Sequence, residues 1–273
     1  RDLDGEVKLH ININKRYITL APVANLIGLA FNVVDPDKLL PEGVTPGVTV
    51  ALLERGHHGL RQKTYHNPLD VGFPNGTLKG DMNIPIENVI GGVENVGNGW
   101  KMLMECLAAG RGVSLPATAN GAAKVSTASA ILYATHRRQF NIPLYKMQGV
   151  NDKLLDMIFH TTLISSSINL TNSILDTGST PSVISAIMKQ KTTEMGRMVV
   201  NDGMDILAGR AIIRGKRNLL ANAYFSTPIS ITVEGSNIMT RSLIHFGQGA
   251  IMCHPHAYKE IKALEEGNLK DFD

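Results

Sequence analysis

Up to about residue 93 the apolar positions fall in short runs rich in β-branched residues, broken by Gly, Pro, Asp and Asn. GEVKLHININ, KRYITLAPVA, VTVALLERG and GTLKGDMNIPI have this form and predict strands. FNVVDPDKLLPEGVTPG predicts a long turn-rich connection. Successive strands with no long helix between them favour an antiparallel barrel or sandwich over a doubly wound sheet. After GGVENVGNGW the period becomes helical. Met104, Leu107 and Ala108, then Ala122, Val125, Ala128 and Leu132, predict the apolar face of a first helix that Pro116 kinks or offsets. A second helix is predicted from Asn151 to Asp176, stopped by DTGSTP, a third from Ser182 to about Leu207, and a fourth after Ser236. Long helices joined by short loops predict a bundle. The expected class is therefore α+β, with an antiparallel β domain over residues 1–93 and a helical bundle over 94–252.

One stretch, ITVEGSNIMTR, places a carboxylate where the pattern changes. Ile231, Thr232 and Val233 favour an extended backbone, and Gly235 permits a sharp turn. Either Ser236 or Asn237 is suited to cap a helix carrying Ile238, Met239, Leu243 and Phe246 on one face. Taken alone, Glu234 reads as a solvated acid at a helix entrance, where negative charge is favoured.

The chain has 273 residues, long enough for two domains, and its 43% hydrophobic and 19% charged content is that of a globular protein. A net charge of +3 gives no argument for nucleic acid, and the basic clusters at Arg137-Arg138 and Arg214 to Arg217 lack interleaved aromatics. Cys106 and Cys253 form no disulfide framework, so a reducing compartment is expected. The N-terminus has no basic region followed by an apolar core, and no apolar run reaches bilayer-spanning length. A start inside strand-like sequence, without Met, suggests a piece of a longer protein.

Three motifs fail on inspection. Gly97 and Gly99 lack the GxGxxG spacing. GRAIIRGKR has one residue too many for a phosphate loop, and Arg217 stands where Ser or Thr must meet magnesium. Cys253, His254 and His256 lie close together without a second ligand pair, so no metal site is expected.

In their order and spacing, NKRYITLAPVA, GWKMLMECLAAGRGVSLPA, HRRQFNIPLYKMQG, MDILAG and ITVEGSNIMTRSLIHFGQGAIMCHP make the chain resemble the acyl-CoA dehydrogenase family across nearly its whole length. The likeness is greatest to the long bacterial acyl-CoA dehydrogenases of fatty-acid β-oxidation. It implies FAD as cofactor and conversion of a fatty acyl-CoA to the trans-2-enoyl-CoA. By the same resemblance Glu234 is the base for the α-proton, with its backbone N–H steadying the thioester oxygen together with a flavin hydroxyl. Tyr17 and Thr19 match a strand beside the flavin ring, Tyr17 standing where tryptophan is usual. Arg137, Gln139, Phe140 and Gln148 match a segment that binds the adenine half of FAD from across a subunit interface. Gly209 matches a glycine near the neighbouring flavin, although Asp205 and Ala208 replace the usual glutamine and first glycine. Ser236 matches a flavin-phosphate hydroxyl, while Gly235 and Arg111 fall on the substrate side.

The resemblance further implies a homodimer or homotetramer, electron-transfer flavoprotein as electron acceptor, and a cytoplasmic setting with peripheral attachment to the inner membrane as an option. Relative to the family, the chain lacks the N-terminal helical domain, its β domain is partial, and residues 253–273 begin a C-terminal extension. Two other classes stay open: an acyl-CoA oxidase passing electrons to oxygen, and a noncatalytic helical assembly module on the same scaffold.

Overall fold

A computed structural model describes residues 7–179, 182–242 and 254–267, without the side chains of Met104, Glu105, Ala108, Ala109 and Ser182. It comprises two compact units, residues 1–105 and 106–273.

The first unit holds β1 (Lys8–Thr19), β2 (Leu26–Asn32), β3 (Val48–Glu54), β4 (Leu60–His66) and β5 (Asn75–Pro85). β5 lies between β1 and β4 in one antiparallel sheet, and β2 pairs with β3 in another. Two runs expected as separate strands form the single strand β1, whose register shifts between Lys15 and Ile18. Such a bulge re-aims side chains, and Tyr17 within it takes φ 59°. β2 and β4 were not anticipated, because LIGLAFN carries a glycine mid-run and LRQKTYH is mostly polar. Strand alternation sends Ile11, Leu29, Leu53, Leu78, Met82 and Ile84 into one apolar core.

Three long helices dominate the rest: α1 (Gly99–His136), α2 (Gln148–Asp176) and α3 (Ser182–Leu207). α1 runs unbroken through Pro116. The ring of a proline crowds the carbonyl four residues back, here Gly112. At Gly112 α1 also runs close to α3, since a Cβ there would stand 2.7 Å from Ser185 Oγ.

The buried face of α1 is Ala119, Ala123, Ser126, Ala130 and Ala134, not the expected one. Leu107, Val125, Ala128 and Leu132 are exposed, Leu132 by 63%. Closely approaching helices admit only small side chains between them, so bulk is displaced to the opposite face. Facing α1 are Leu154, Met157, Ile164 and Ile168 of α2 and Met188, Val199, Ile206 and Leu207 of α3. Hydroxyls add polar links between α1 and α2: Thr127 Oγ1 meets Thr161 Oγ1 at 2.9 Å, and Ser165 Oγ donates to Asn120 Oδ1 at 2.7 Å.

A tight hairpin joins α1 to α2, formed by β6 (Arg138–Gln139) and β7 (Ile142–Pro143). Its two loop residues, Phe140 and Asn141, have φ of 51° and 62°, the left-handed pair that suits a two-residue turn. Beyond α3 come α4 (Gly209–Ile212), α5 (Ala221–Thr232), α6 (Asn237–Ser242) and α7 (Ala257–Glu265). Neither α4 nor α5 was expected. Pro228 inside α5 withholds a donor from the Tyr224 carbonyl, which accepts from Thr227 Oγ1 at 2.9 Å instead.

The extended run expected at Ile231 to Val233 is corrected by α5, whose last turn contains Ile231 and Thr232; Val233 alone is extended. Packing of α5 on α3 overrides a β propensity that is only a weak preference. Ile238 and Met239, expected on an apolar face, are exposed, while Leu243 and Phe246 lie outside the described residues. His254 Nδ1 accepts the backbone N–H groups of His256 and Ala257 at 3.3 and 3.1 Å, the role of a cap for α7; Cys253 lies outside the described residues. Among the described residues no His, Cys, Asp or Glu group is placed to hold a metal ion, and no helix is long and apolar enough to cross a membrane.

Ala208 joins α3 to α4 at φ 48°, ψ −128°, a region that favours glycine. Ala208→Gly is expected to stabilise the protein by roughly 0.5–1 kcal/mol, the relieved left-handed cost outweighing the added chain entropy. Thermal denaturation should show a raised Tm; a lowered one would mean that the alanine is unstrained.

Candidate active site

The pattern of α3 puts Ser185, Lys189, Thr192, Thr193 and Val199 on its buried stripe, at helical spacing. Lys189 therefore points inward and has 0% of its surface exposed. Its ammonium donates to the Ile231 carbonyl at 3.0 Å, the Gly235 carbonyl at 2.7 Å and Asn237 Oδ1 at 2.8 Å. Three N–H groups thus meet three acceptors, which span both sides of residue 234.

Asn237 completes the attachment of α6 to α3. Its amide donates to Thr193 Oγ1 at 2.9 Å and to Glu194 Oε1 at 3.1 Å, and Glu194 also pairs with Arg197. Thr193 Oγ1 in turn donates to the Lys189 carbonyl at 2.7 Å. Ser236 is the cap: its carbonyl accepts from the Thr240 N–H at 2.8 Å, and its Oγ accepts from the Met239 N–H at 3.4 Å. Thr240 Oγ1 donates to the Gly235 carbonyl at 3.2 Å.

The turn held this way is unusual at Glu234, which takes φ 56°, followed by Gly235 at 84°. Only the second of these is a glycine, so Glu234 bears a backbone cost of about 1–3 kcal/mol. Its side chain is not compensated: Oε2 is buried without a hydrogen-bond partner, and so is Nε of Arg111 on α1. Across from the carboxylate α1 presents Gly110, where an added Cβ would meet only the two Glu234 oxygens, each at 3.9 Å. Arg111 Nη2 comes within 3.9 Å of the corresponding point at Gly235. Unpaired buried polar atoms cost about 1–3 kcal/mol each, so a strained, underbonded acid facing a bare glycine calls for a functional explanation.

Electrostatics agree with the geometry. Burial pushes the Lys189 amine down from 10.5 to about 8, against the supporting charges of Glu234 and Glu194, while Arg111 opposes its protonation.

The structure thus brings together Glu234, Gly235, Ser236 and Arg111, and adds Lys189, Asn237 and Gly110, which sequence reasoning missed. The signal for Lys189 was its phase, a lysine on the apolar stripe of α3. Gln139, Phe140 and Arg137 are exposed at the α1–α2 hairpin, Phe140 by 90%. Gln148 opens α2, donating to Asp152 Oδ1 at 2.6 Å. Gly209 is the first residue of α4, and the cap-like position next to it falls to Ala208. Asp205 pairs with Lys153 at 3.0 Å; Lys153, bonded also to Asp202 at 2.6 Å, has its amine pushed up by both acids, Asp202 foremost. In the first unit, Tyr17 is exposed with its ring 5.4 Å from that of His66, and Thr19 pairs with Asn75.

The chain is 44% identical to Protein HemX of Proteus mirabilis over 91 residues, 33% of this chain and 54% of that protein. It is 26% identical to the short-chain specific acyl-CoA dehydrogenase of Megasphaera elsdenii over 202 residues, 73% of this chain and 50% of that one. The chain thus spans about half the length of these curated relatives. An acyl-CoA dehydrogenase from Geobacillus kaustophilus shares the fold at TM-score 0.78 and 22% identity, over 91% of this chain and 63% of that structure. The sequence pattern of the acyl-CoA dehydrogenase C-terminal domain matches residues 97–247, a span that includes Gly110, Arg111, Lys189 and Glu234. With more than half its length matched, the chain belongs to the acyl-CoA dehydrogenase family, whose members are FAD-dependent flavoproteins.

Proposed function

We propose that the protein carrying this chain removes the α- and β-hydrogens of a fatty acyl-CoA, giving the trans-2-enoyl-CoA, as the first oxidative step of fatty-acid β-oxidation. The observation that carries this reading is the Glu234 carboxylate, which is unpartnered at Oε2, held on a left-handed backbone and open toward Gly110. A base for a weakly acidic C–H must be rigid and must have a free oxygen. Glu234 has both properties. It takes the α-proton, and Arg111, with its own unpaired Nε, supports the substrate side.

The residues present fit a flavin dinucleotide. Arg137 offers a guanidinium fork, Phe140 a fully presented ring on a rigid turn, and Ser236 a hydroxyl with only a long cap bond. When bound, the flavin supplies the acceptor for the hydride leaving the β-carbon. Tyr17 and Thr19 lie beside its ring in this reading, and Gln139, Gln148 and Gly209 serve its adenine half. Asp205 is left out, since Lys153 already engages it.

Arg111 and Arg137 are 26 residues apart on and just beyond α1, about 39 Å at 1.5 Å per residue. That exceeds the reach of one dinucleotide, so the hairpin serves the flavin of a second copy. The outward side of α2 supports a homodimer or homotetramer, since Leu155, Ile158, Phe159 and Leu163 are exposed at helical spacing. We assign electron-transfer flavoprotein as acceptor and the cytoplasm as setting.

Glu234→Gln should keep the fold, FAD and acyl-CoA binding, yet slow anaerobic flavin bleaching by acyl-CoA about 10²–10⁴-fold. Bleaching at the parental rate would place the base elsewhere. Arg137→Ala should release FAD more readily at unchanged Tm of the apoprotein, measured by equilibrium dialysis. Equal affinity would reduce Arg137 to a surface charge. Light scattering should report an oligomer, and a stable monomer saturated with FAD would refute the cross-subunit arrangement.

A further inference from the structure

We propose that Lys189 is a positioning residue for Glu234: by tying the carbonyls of Ile231 and Gly235 and the Asn237 side chain to α3, it fixes the left-handed turn that aims the carboxylate. This rests on the reading of Glu234 as the base. The three acceptors flank residue 234 on both sides, so the ammonium sets the path of the chain through it. Core filling does not explain the residue, because an apolar side chain would occupy the volume without taking a charge out of water. No bond of Lys189 goes to the Glu234 carboxylate among the described residues, so the tie leaves the base free to react.

The charged groups around the amine are Glu234 on the turn, Arg111 on α1 and Glu194 on α3, the last already paired with Arg197. Burial lowers the amine to about 8. Above that pH it keeps two N–H donors for three acceptors, and the turn loses a bond. Global stability runs the other way. In the unfolded chain lysine holds its proton to about 10.5, so the penalty of burying charge is complete below pH 8 and is relieved between 8 and 10.5. Lys189 by itself therefore makes the fold more stable across that window while its turn loosens.

The test uses FAD-loaded protein, with hydrogen exchange of the segment 231–237 corrected for intrinsic rates, and anaerobic bleaching by acyl-CoA from pH 6 to 10. In the parent, protection of Val233 to Asn237 should fall about tenfold as pH passes 8, the equivalent of one charge-assisted bond. The bleaching rate should fall over the same range. In Lys189→Arg, whose charge does not titrate, protection should stay level and the alkaline fall in rate, taken relative to that variant's own rate at pH 7, should disappear. Exchange that ignores pH 8 in the parent, or an alkaline fall that persists unshifted in Lys189→Arg, overturns the proposal. Bleaching unaffected by Glu234→Gln, with the exchange result intact, overturns the functional reading alone.

Discussion

An ammonium with no solvent contact and three protein acceptors is the constraint on which the geometry around Glu234 depends. Removing such a group from water costs several kcal/mol. Hydrogen bonds to charged groups return roughly 1.5–3 kcal/mol each, so three of them come close to balance. Burial still holds the amine below its ordinary 10.5, at about 8, so the bonds do not fully replace the lost water. To this the left-handed backbone at Glu234 adds its own cost. An apolar residue at 189 and glycine at 234 would remove both costs. The chain instead bears them at a turn where a buried carboxylate oxygen is left unbonded.

The helices make that turn possible through small residues. Gly112 lets α1 approach α3, and the alanine stripe of α1 continues the close contact toward its C-terminal end. The same helix brings Gly110, which carries no side chain, in front of the carboxylate. Bulk displaced from this contact ends on the outside of α1 and α2, where Val125, Leu132, Leu155 and Phe159 are exposed.

Much of this was legible in the sequence, for specific reasons. α2 and α3 have clear stops in DTGSTP and in the MDILAG end, and the α+β class follows from the change of period near residue 93. Glu234 stood out as a candidate because its neighbours form part of an ordered set of motifs. The buried face of α1 was not, since alanine and serine carry little hydrophobic signal and the larger residues point the wrong way. Ile231 and Thr232 misled because β-branched residues lose only slightly in a helix end, and the Lys189 bond to the Ile231 carbonyl rewards that end. Lys189 itself escaped because lysine is ordinarily a surface residue, and only its phase on α3 marks it as interior.

The visible spectrum of the purified protein before and after acyl-CoA tests the assignment most directly. An oxidised flavin spectrum that bleaches on anaerobic addition of a fatty acyl-CoA is the predicted result. A protein that holds FAD but shows no spectral change with acyl-CoA of any chain length, or one that binds no flavin, would contradict it.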